Sequence, residues 1–303
     1  MLRRNVLIFH SGALGDFIVT WPLALSLARL FPQSRIYYVT AGQKGTLAER
    51  VLRLETSDAE AGWHQLFSET PALSEPARKL LSNAHTVLSF VASPHDRWAE
   101  NVRRVIPEAN LICVNTVVPQ NFSGHVTDWL IEQWGGWAAG QAAARQIVHS
   151  LASRGLPLTR SGRDLVVMQP GAGSEAKCWP AANFLELARR LVAAGRSVRV
   201  LLGEAEIERW PADRVAEFAA VCDVQRPATY VDLLNHLSDA ATFIGNDSGP
   251  GHLAGIVGTR TISLFASSDP GRWRPLGPDV YVLTGVPDDL SVEAVYETVI
   301  KHG

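Results

Sequence analysis

Residues 5–10 (NVLIFH) are apolar at consecutive rather than alternate positions, the pattern of a parallel strand covered on both faces. A glycine turn follows at residues 11–16 (SGALGD), and the period then changes to helical spacing over residues 17–30. Pro22 falls within the first two turns of that helix, where it is tolerated at the risk of a kink. Residues 35–40 (RIYYVT) read as the next strand, completing a β-turn-α-β unit that opens a Rossmann-like domain. Residues 43–83 are helical and polar in parts. Further strands are expected at 86–91 (TVLSFV) and 110–114 (NLICV), then an aromatic-rich helix over 126–137. Its Trp129, Trp134 and Trp137 suit packing better than a sugar platform.

The pattern then breaks and restarts. Residues 153–163 (SRGLPLTRSGR) have glycine, proline and arginine with little periodicity, which suits an interdomain linker. Beyond it come a strand at 165–169, a glycine turn, a helix at 181–194, a strand at 197–202 and a glycine at Gly203. A helix at 231–238, a strand at 241–244, a second glycine turn, a helix from His252 and a strand at 261–265 follow. The chain closes on a short amphipathic helix within 287–302. The expected architecture is α/β with two Rossmann-like domains, 1–155 and 163–303, and a cleft between them faced by glycine turns from both sides. The last helix is a candidate for packing back on the first domain.

Composition narrows the function classes. At 303 residues, 47% hydrophobic and 19% charged, the chain is an ordinary globular protein long enough for two cores. A formal charge of −2 argues against nucleic acid as the main partner, because no basic excess exists to neutralise its phosphates. Cys113, Cys178 and Cys222 are odd in number and far apart, so neither a disulfide framework nor a zinc site is indicated, and a reducing cytoplasmic setting is expected. The N-terminal apolar run is too short for a signal peptide, and no segment approaches the ~18 residues of a membrane span. Lysine occurs only at Lys44, Lys79, Lys177 and Lys301, so Lys177 stands out by position.

Three glycine turns carry chemistry. The stretch 242–258 (TFIGNDSGPGHLAGIVG) runs from strand through Gly245, Gly249 and Gly251 into a helix, and such a junction aims unpaired N–H groups and a positive dipole end at one spot. Asp247, Ser248 and His252 add polar side chains there. The loop 169–180 (QPGAGSEAKCWP) lets backbone approach a phosphate at its small residues such as Gly173, with the Ser174 hydroxyl and the Lys177 ammonium beside it. It is not a Walker motif, since GxxxxGK[ST] is absent. The first turn, Gly12 to Gly15 followed by Asp16, lacks GxGxxG spacing, and Thr40-Ala41 stand where a ribose-binding acid would close a dinucleotide fingerprint. Asp16 is either a helix cap or a general base. Glu204 and Glu206 follow a strand and could accept ribose hydroxyls or sit at a solvated helix start. His95, Asp96 and His125 do not form a metal-ligand spacing, and no GxSxG turn supports a serine triad.

Together these motifs resemble glycosyltransferase family 9, the ADP-heptose:lipopolysaccharide heptosyltransferases, whose fold is GT-B. SGALGD followed by Trp21-Pro22 resembles the family's N-terminal GALGD motif, and QPGAGSEAKCWP its HPGA…KxWP motif. GNDSGPGHLAGIVGTRTISLFASSDPGRWRP resembles its DSGPxHLAAAxGxPxVxLFGxTxP signature. The three occur in the family's order across nearly the whole chain. Gln169 stands where the family usually has His, Gly251 replaces a larger residue, and Ala266 replaces a glycine.

The resemblance implies an inverting, metal-independent transfer of a heptose or related sugar from a nucleotide donor, expected to be ADP-heptose, to a lipopolysaccharide-core or other cell-envelope glycan. Asp16 matches the family's base, carried on the loop with Gly12 and Gly15. Gly173, Ser174 and Lys177 match the donor-diphosphate loop, and Asp247, Ser248, Gly249 and His252 the loop for donor sugar and phosphate. Glu206 matches a nucleoside-side carboxylate. No cofactor or metal is implied: the nucleotide sugar is a substrate, and lysine and helix N-termini stabilise the leaving group. The expected partner is a glycolipid or glycan acceptor at the inner membrane surface, which places the protein in the cytoplasm or peripherally on that face. Arg50, Arg97, Arg103 and Arg104 are candidates for an anionic acceptor, or solvated helix faces. A nucleotide-sugar epimerase or hydrolase on the same scaffold, and a non-catalytic sugar-nucleotide binder, are the rival readings.

Overall fold

The computed structural model describes residues 4–156, 164–285 and 289–302. The chain divides into two units, Met1–His149 and Ser150–Gly303. Most of the linker expected at 153–163 lies outside the described residues.

Each unit is built on one sheet. In the first, β1 (Asn5–Phe9), β2 (Arg35–Thr40), β3 (Glu55–Asp58), β4 (Ala84–Ser89) and β5 (Asn110–Cys113) lie in the order β3-β2-β1-β4-β5. In the second, β6 (Leu165–Gln169), β7 (Ser197–Leu201), β8 (Asp223–Gln225), β9 (Thr242–Asn246), β10 (Arg260–Phe265) and β11 (Val280–Thr284) lie in the order β11-β10-β9-β6-β7-β8. Neighbouring strands pair in parallel throughout. In both units the chain works outward from its first strand, returns to the centre, and continues the other way. That reversal separates the loops leaving β1 and β4, and those leaving β6 and β9, so a crevice opens at the carboxyl ends of the strands. All three glycine-rich turns of the sequence sit at these two reversal points.

Consecutive burial explains the continuous apolar runs. Every residue of β1 and of β9 is buried. The first core gathers Leu7, Phe9, Trp63, Trp98 and Val102, with Phe9 meeting the edges of Trp63 and Trp98 at 5.0 and 4.9 Å. The second gathers Val166, Met168, Trp179, Phe184 and Ile244, and the closing helix Val292–His302 buries Val295 and Val299 in it.

The structure redraws several helices. The helix expected over 17–30 is two, Leu14–Val19 and Trp21–Leu30. Between them the Thr20 hydroxyl donates to the Phe17 carbonyl at 2.7 Å and shares a 2.9 Å bond with the Tyr38 hydroxyl. Pro22 then sits in the first turn of the second helix, where its missing N–H is not needed. The 126–137 helix likewise stops at Glu132, and after Gly136 (φ 78°) a new helix, Ala138–Arg154, runs into the start of the expected linker. Trp134 is buried and stacked on Trp137 with centroids 5.1 Å apart, so these two rings pack. Within residues 43–83 lie the helices Gly42–Leu52 and Glu75–Ser82 and the polar edge strand β3.

Trp98 is 1% exposed and closes the first core. Trp98→Ala is expected to destabilise the first unit by about 3–5 kcal/mol, seen as an earlier urea transition of the intact protein. A loss under about 1 kcal/mol would mean that this core is not organised around the ring.

Candidate functional site

The reversal point of the second unit is held together by the side chain of Asn246, the last residue of β9, which is fully buried. Its Oδ1 accepts from the Trp179 N–H at 2.9 Å and its Nδ2 donates to the Pro170 carbonyl at 2.5 Å. One amide therefore pins both ends of the loop that leaves β6. The Trp179 indole N–H donates to the Leu290 carbonyl at 2.7 Å, fixing the far end a second time.

Inside that frame the expected donor residues converge. Lys177 Nζ lies 2.7 Å from Asp247 Oδ2, with the lysine side chain 36% exposed and the aspartate 5%. The Ser268 hydroxyl donates to the same Oδ2 at 2.6 Å, and His252 Nε2 lies 3.9 Å from Oδ1. The Ser248 hydroxyl donates to Gln169 Oε1 at 3.2 Å. The helix after β9 starts at Gly249, three residues earlier than the sequence suggests, so His252 is a buried helical residue rather than part of the turn. Ser248 occupies the N-cap position but makes no capping bond, because its hydroxyl is turned to Gln169. The N–H groups of the first turn are thus left for an anion. Gly173 has no heavy atom within 4 Å of the place a Cβ would occupy, so its backbone is open to a ligand.

Glu206, matched to a nucleoside-side carboxylate, is 1% exposed, and its carboxylate accepts from the Gly171 N–H at 2.5 Å, Gln169 Nε2 at 3.1 Å and the Gly203 N–H at 3.0 Å. Burial pushes its carboxyl up, and the backbone and side-chain donors pull it back. Both oxygens brace the loop. A Cβ on Gly171 would sit 2.4 Å from that carboxylate, so only glycine fits there.

The first unit carries Asp16 in the first turn of the helix Leu14–Val19, exposed, with Oδ2 accepting from the Ala13 N–H at 3.3 Å. It is therefore a helix cap and a solvent-facing carboxylate at once. Gly12 is required by close approach: a Cβ there would lie 3.0 Å from the Asp16 Cβ and 3.1 Å from the His10 ring. Gly15 lies between Leu14 and Asp16 in the same first turn. Two groups to which the sequence reading gave no role complete this corner. Lys44, from the helix after β2, is 8% exposed and donates from Nζ to the Gly12 carbonyl at 2.5 Å. His10 is 2% exposed, and burial, reinforced by Lys44, lowers its pKa to about 3, so the ring is neutral. The scarcity of lysine that marks Lys177 also marks Lys44, which lacks a motif around it.

The arginines offered for an anionic acceptor are mostly committed. Arg97 pairs with Glu69 at 3.3 Å, Arg103 donates to the Pro94 carbonyl at 2.8 Å, and Arg104 to Asn101 Oδ1 at 3.1 Å. Arg50 is exposed on the helix Gly42–Leu52. Asp96 and His125 are helix N-caps, accepting from the N–H groups of Ala99 and Thr127.

The model of glycosyltransferase family 9 (heptosyltransferase) matches residues 131–299, more than half of the chain. The chain belongs to this family. It is 34% identical over 117 residues to lipopolysaccharide heptosyltransferase 3 of Escherichia coli, a match covering 38% of this chain and 34% of that protein. The matched segment thus spans about a third of the length of this curated relative. Among solved structures, E. coli heptosyltransferase WaaC with ADP superposes with a TM-score of 0.70 at 17% identity, over 99% of this chain and 100% of that one. E. coli ADP-heptose lps heptosyltransferase II gives a TM-score of 0.72 at 18% identity, over 98% of each. The family 9 protein has the GT-B fold of these enzymes.

Two stability effects follow from these corners. Asn246→Ala strands the Trp179 N–H and the Pro170 carbonyl, and is expected to destabilise the second unit by about 2–4 kcal/mol in urea unfolding. A neutral outcome would show that Trp179 and Leu290 suffice to hold the loop. His10 binds a proton near 6.5 when unfolded but only near 3 when folded, so its contribution to stability shrinks as pH falls through that window. Between about pH 7 and about pH 5 the wild type should lose about 2 kcal/mol more than His10→Phe does. Equal acid sensitivity of the two proteins would remove His10 from the account.

Proposed function

We propose that this family 9 protein is an inverting, metal-independent glycosyltransferase. It moves a heptose or related sugar from an ADP-linked donor to a hydroxyl of a lipopolysaccharide-core or other cell-envelope glycan. The observation that carries this reading is the pairing of Lys177 with Asp247 beside Ser248 at the uncapped start of the helix Gly249–Ile256, in a chain of this family.

In this reading the donor diphosphate lies along the open backbone at Gly173 and the first-turn N–H groups of that helix, with the Lys177 ammonium beside it. Asp247 holds Lys177 in place, and Ser268 holds Asp247. Asp16 takes the proton of the acceptor hydroxyl as its oxygen attacks the anomeric carbon. The bond from that carbon to the phosphate oxygen breaks, its electron pair leaves with ADP, and the new glycoside has the opposite anomeric configuration. Lysine and helix N–H groups stabilise the charge that grows on the diphosphate, the work a metal ion does elsewhere. No helix among the described residues is long and apolar enough to cross a membrane. Its partners in this reading are the nucleotide sugar and a glycolipid or glycan acceptor met at the inner membrane surface. The likeness to WaaC with ADP supports the choice of nucleotide through the shared fold.

Asp16→Asn is expected to lower kcat by about 10²–10⁴-fold, the usual contribution of a general base. ADP should still raise the melting temperature of this variant as it does the wild type, since donor binding belongs to the other unit. Transfer at the wild-type rate would remove Asp16 from the base role. A stronger thermal shift with UDP or GDP than with ADP would change the donor.

A further inference from the structure

Lys44 is placed against local preference. It occupies the third position of the helix Gly42–Leu52, near the positive end of the helix dipole, where a cation is disfavoured by about 0.3–1 kcal/mol. It is also 8% exposed, and a buried ammonium is stable only with partners. A side chain that breaks local rules is held there by something else, and such positions concentrate at functional sites. The partners are both on the turn that carries Asp16: the Gly12 carbonyl, 2.5 Å from Nζ, and the Asp16 carboxylate, whose field counters the effect of burial on the lysine.

The charged and titratable groups around this corner are few. His10, at the end of β1, is neutral and brings no competing charge. Asp58, at the end of β3, stands across Gly42, its Oδ2 3.6 Å from where a Cβ would be. Glu49, on the same helix as Lys44, accepts from the Thr56 hydroxyl at 2.5 Å. Lys44 reaches this corner through the Gly12 carbonyl, its Nζ 2.5 Å away.

We propose that Lys44 is a positioning residue for the transfer reaction: it pins the Gly12 carbonyl, which fixes the turn that presents Asp16. This rests on Asp16 being the base. The pinned carbonyl decides where the carboxylate points. Lys44 touches neither sugar in this account and acts through Asp16.

The test uses the full chain with ADP-heptose and de-acylated lipopolysaccharide core, following ADP release. Lys44→Met should lower kcat about ten- to a hundredfold while the KM for ADP-heptose stays within about twofold. Lys44→Arg, which restores a charged donor to the Gly12 carbonyl, should recover part of kcat. Should the Met variant fail to fold, judged by its melting curve, Lys44→Gln takes its place as the neutral variant. Wild-type kcat in the neutral variant would overturn the proposal. So would a loss of kcat with no recovery in Lys44→Arg, which is the signature of a merely structural lysine. If Asp16→Asn is inactive and Lys44→Met is not impaired, only the lysine's role falls. If Asp16→Asn keeps full activity, or the wild type turns over no donor, the base reading falls and this inference with it.

Discussion

One buried amide sets the geometry of the donor end. Asn246 closes β9 and spends both halves of its carboxamide on the loop from β6, so the two arms of the reversal point cannot drift apart. A buried amide with both groups satisfied is rigid, because loosening either bond leaves a stranded polar atom in a dry interior. On that fixed platform Asp247, the next residue, is aimed at Lys177, and Ser248 is aimed at Gln169. The helix that follows then begins without a side-chain cap. The uncapped helix start is therefore a consequence of how the two loops are tied.

The first unit solves a similar problem with a different chemistry. Its glycine turn after β1 is also pinned from a neighbouring segment, but by the ammonium of Lys44 on the Gly12 carbonyl. Here the helix does carry an acidic cap, Asp16, which occupies the dipole end that would otherwise attract phosphate. The same β-turn-α arrangement thus yields an uncapped helix start in one unit and a carboxylate presented to solvent in the other. The difference lies in which charge sits at the helix start.

The legible part of the sequence was the part in which backbone and ligand chemistry coincide. Consecutive apolar residues marked β1 and β6, and the glycine turns marked the reversal points, because close backbone approach leaves few alternatives to glycine. The family resemblance, carried on the three turn motifs, agrees with the family match and the shared GT-B fold. Edge strands were legible only at β5, expected at 110–114 and found at Asn110–Cys113. β3 (ETSD) pairs with β2 and is only partly buried, so nothing in its composition separates it from a loop. The break at Thr20 was equally hidden, since it depends on Tyr38 from another strand. Lys44 escaped for the same reason: its meaning lies in a carbonyl 32 positions earlier.

Glu206 shows that the glycines of one loop answer to different constraints. The glycines after β6 read as room for a phosphate, and Gly173 fits that reading, with open space where a side chain would be. Gly171 does not, because the space beside it is filled by the Glu206 carboxylate, which accepts its N–H. One glycine admits a ligand and the other admits a brace, two residues apart in the same loop. Spacing alone cannot distinguish them, since both demand the absence of a Cβ. What separates them is the buried carboxylate from the helix after β7, which collects three donors and fills the space beside Gly171 while Gly173 stays open.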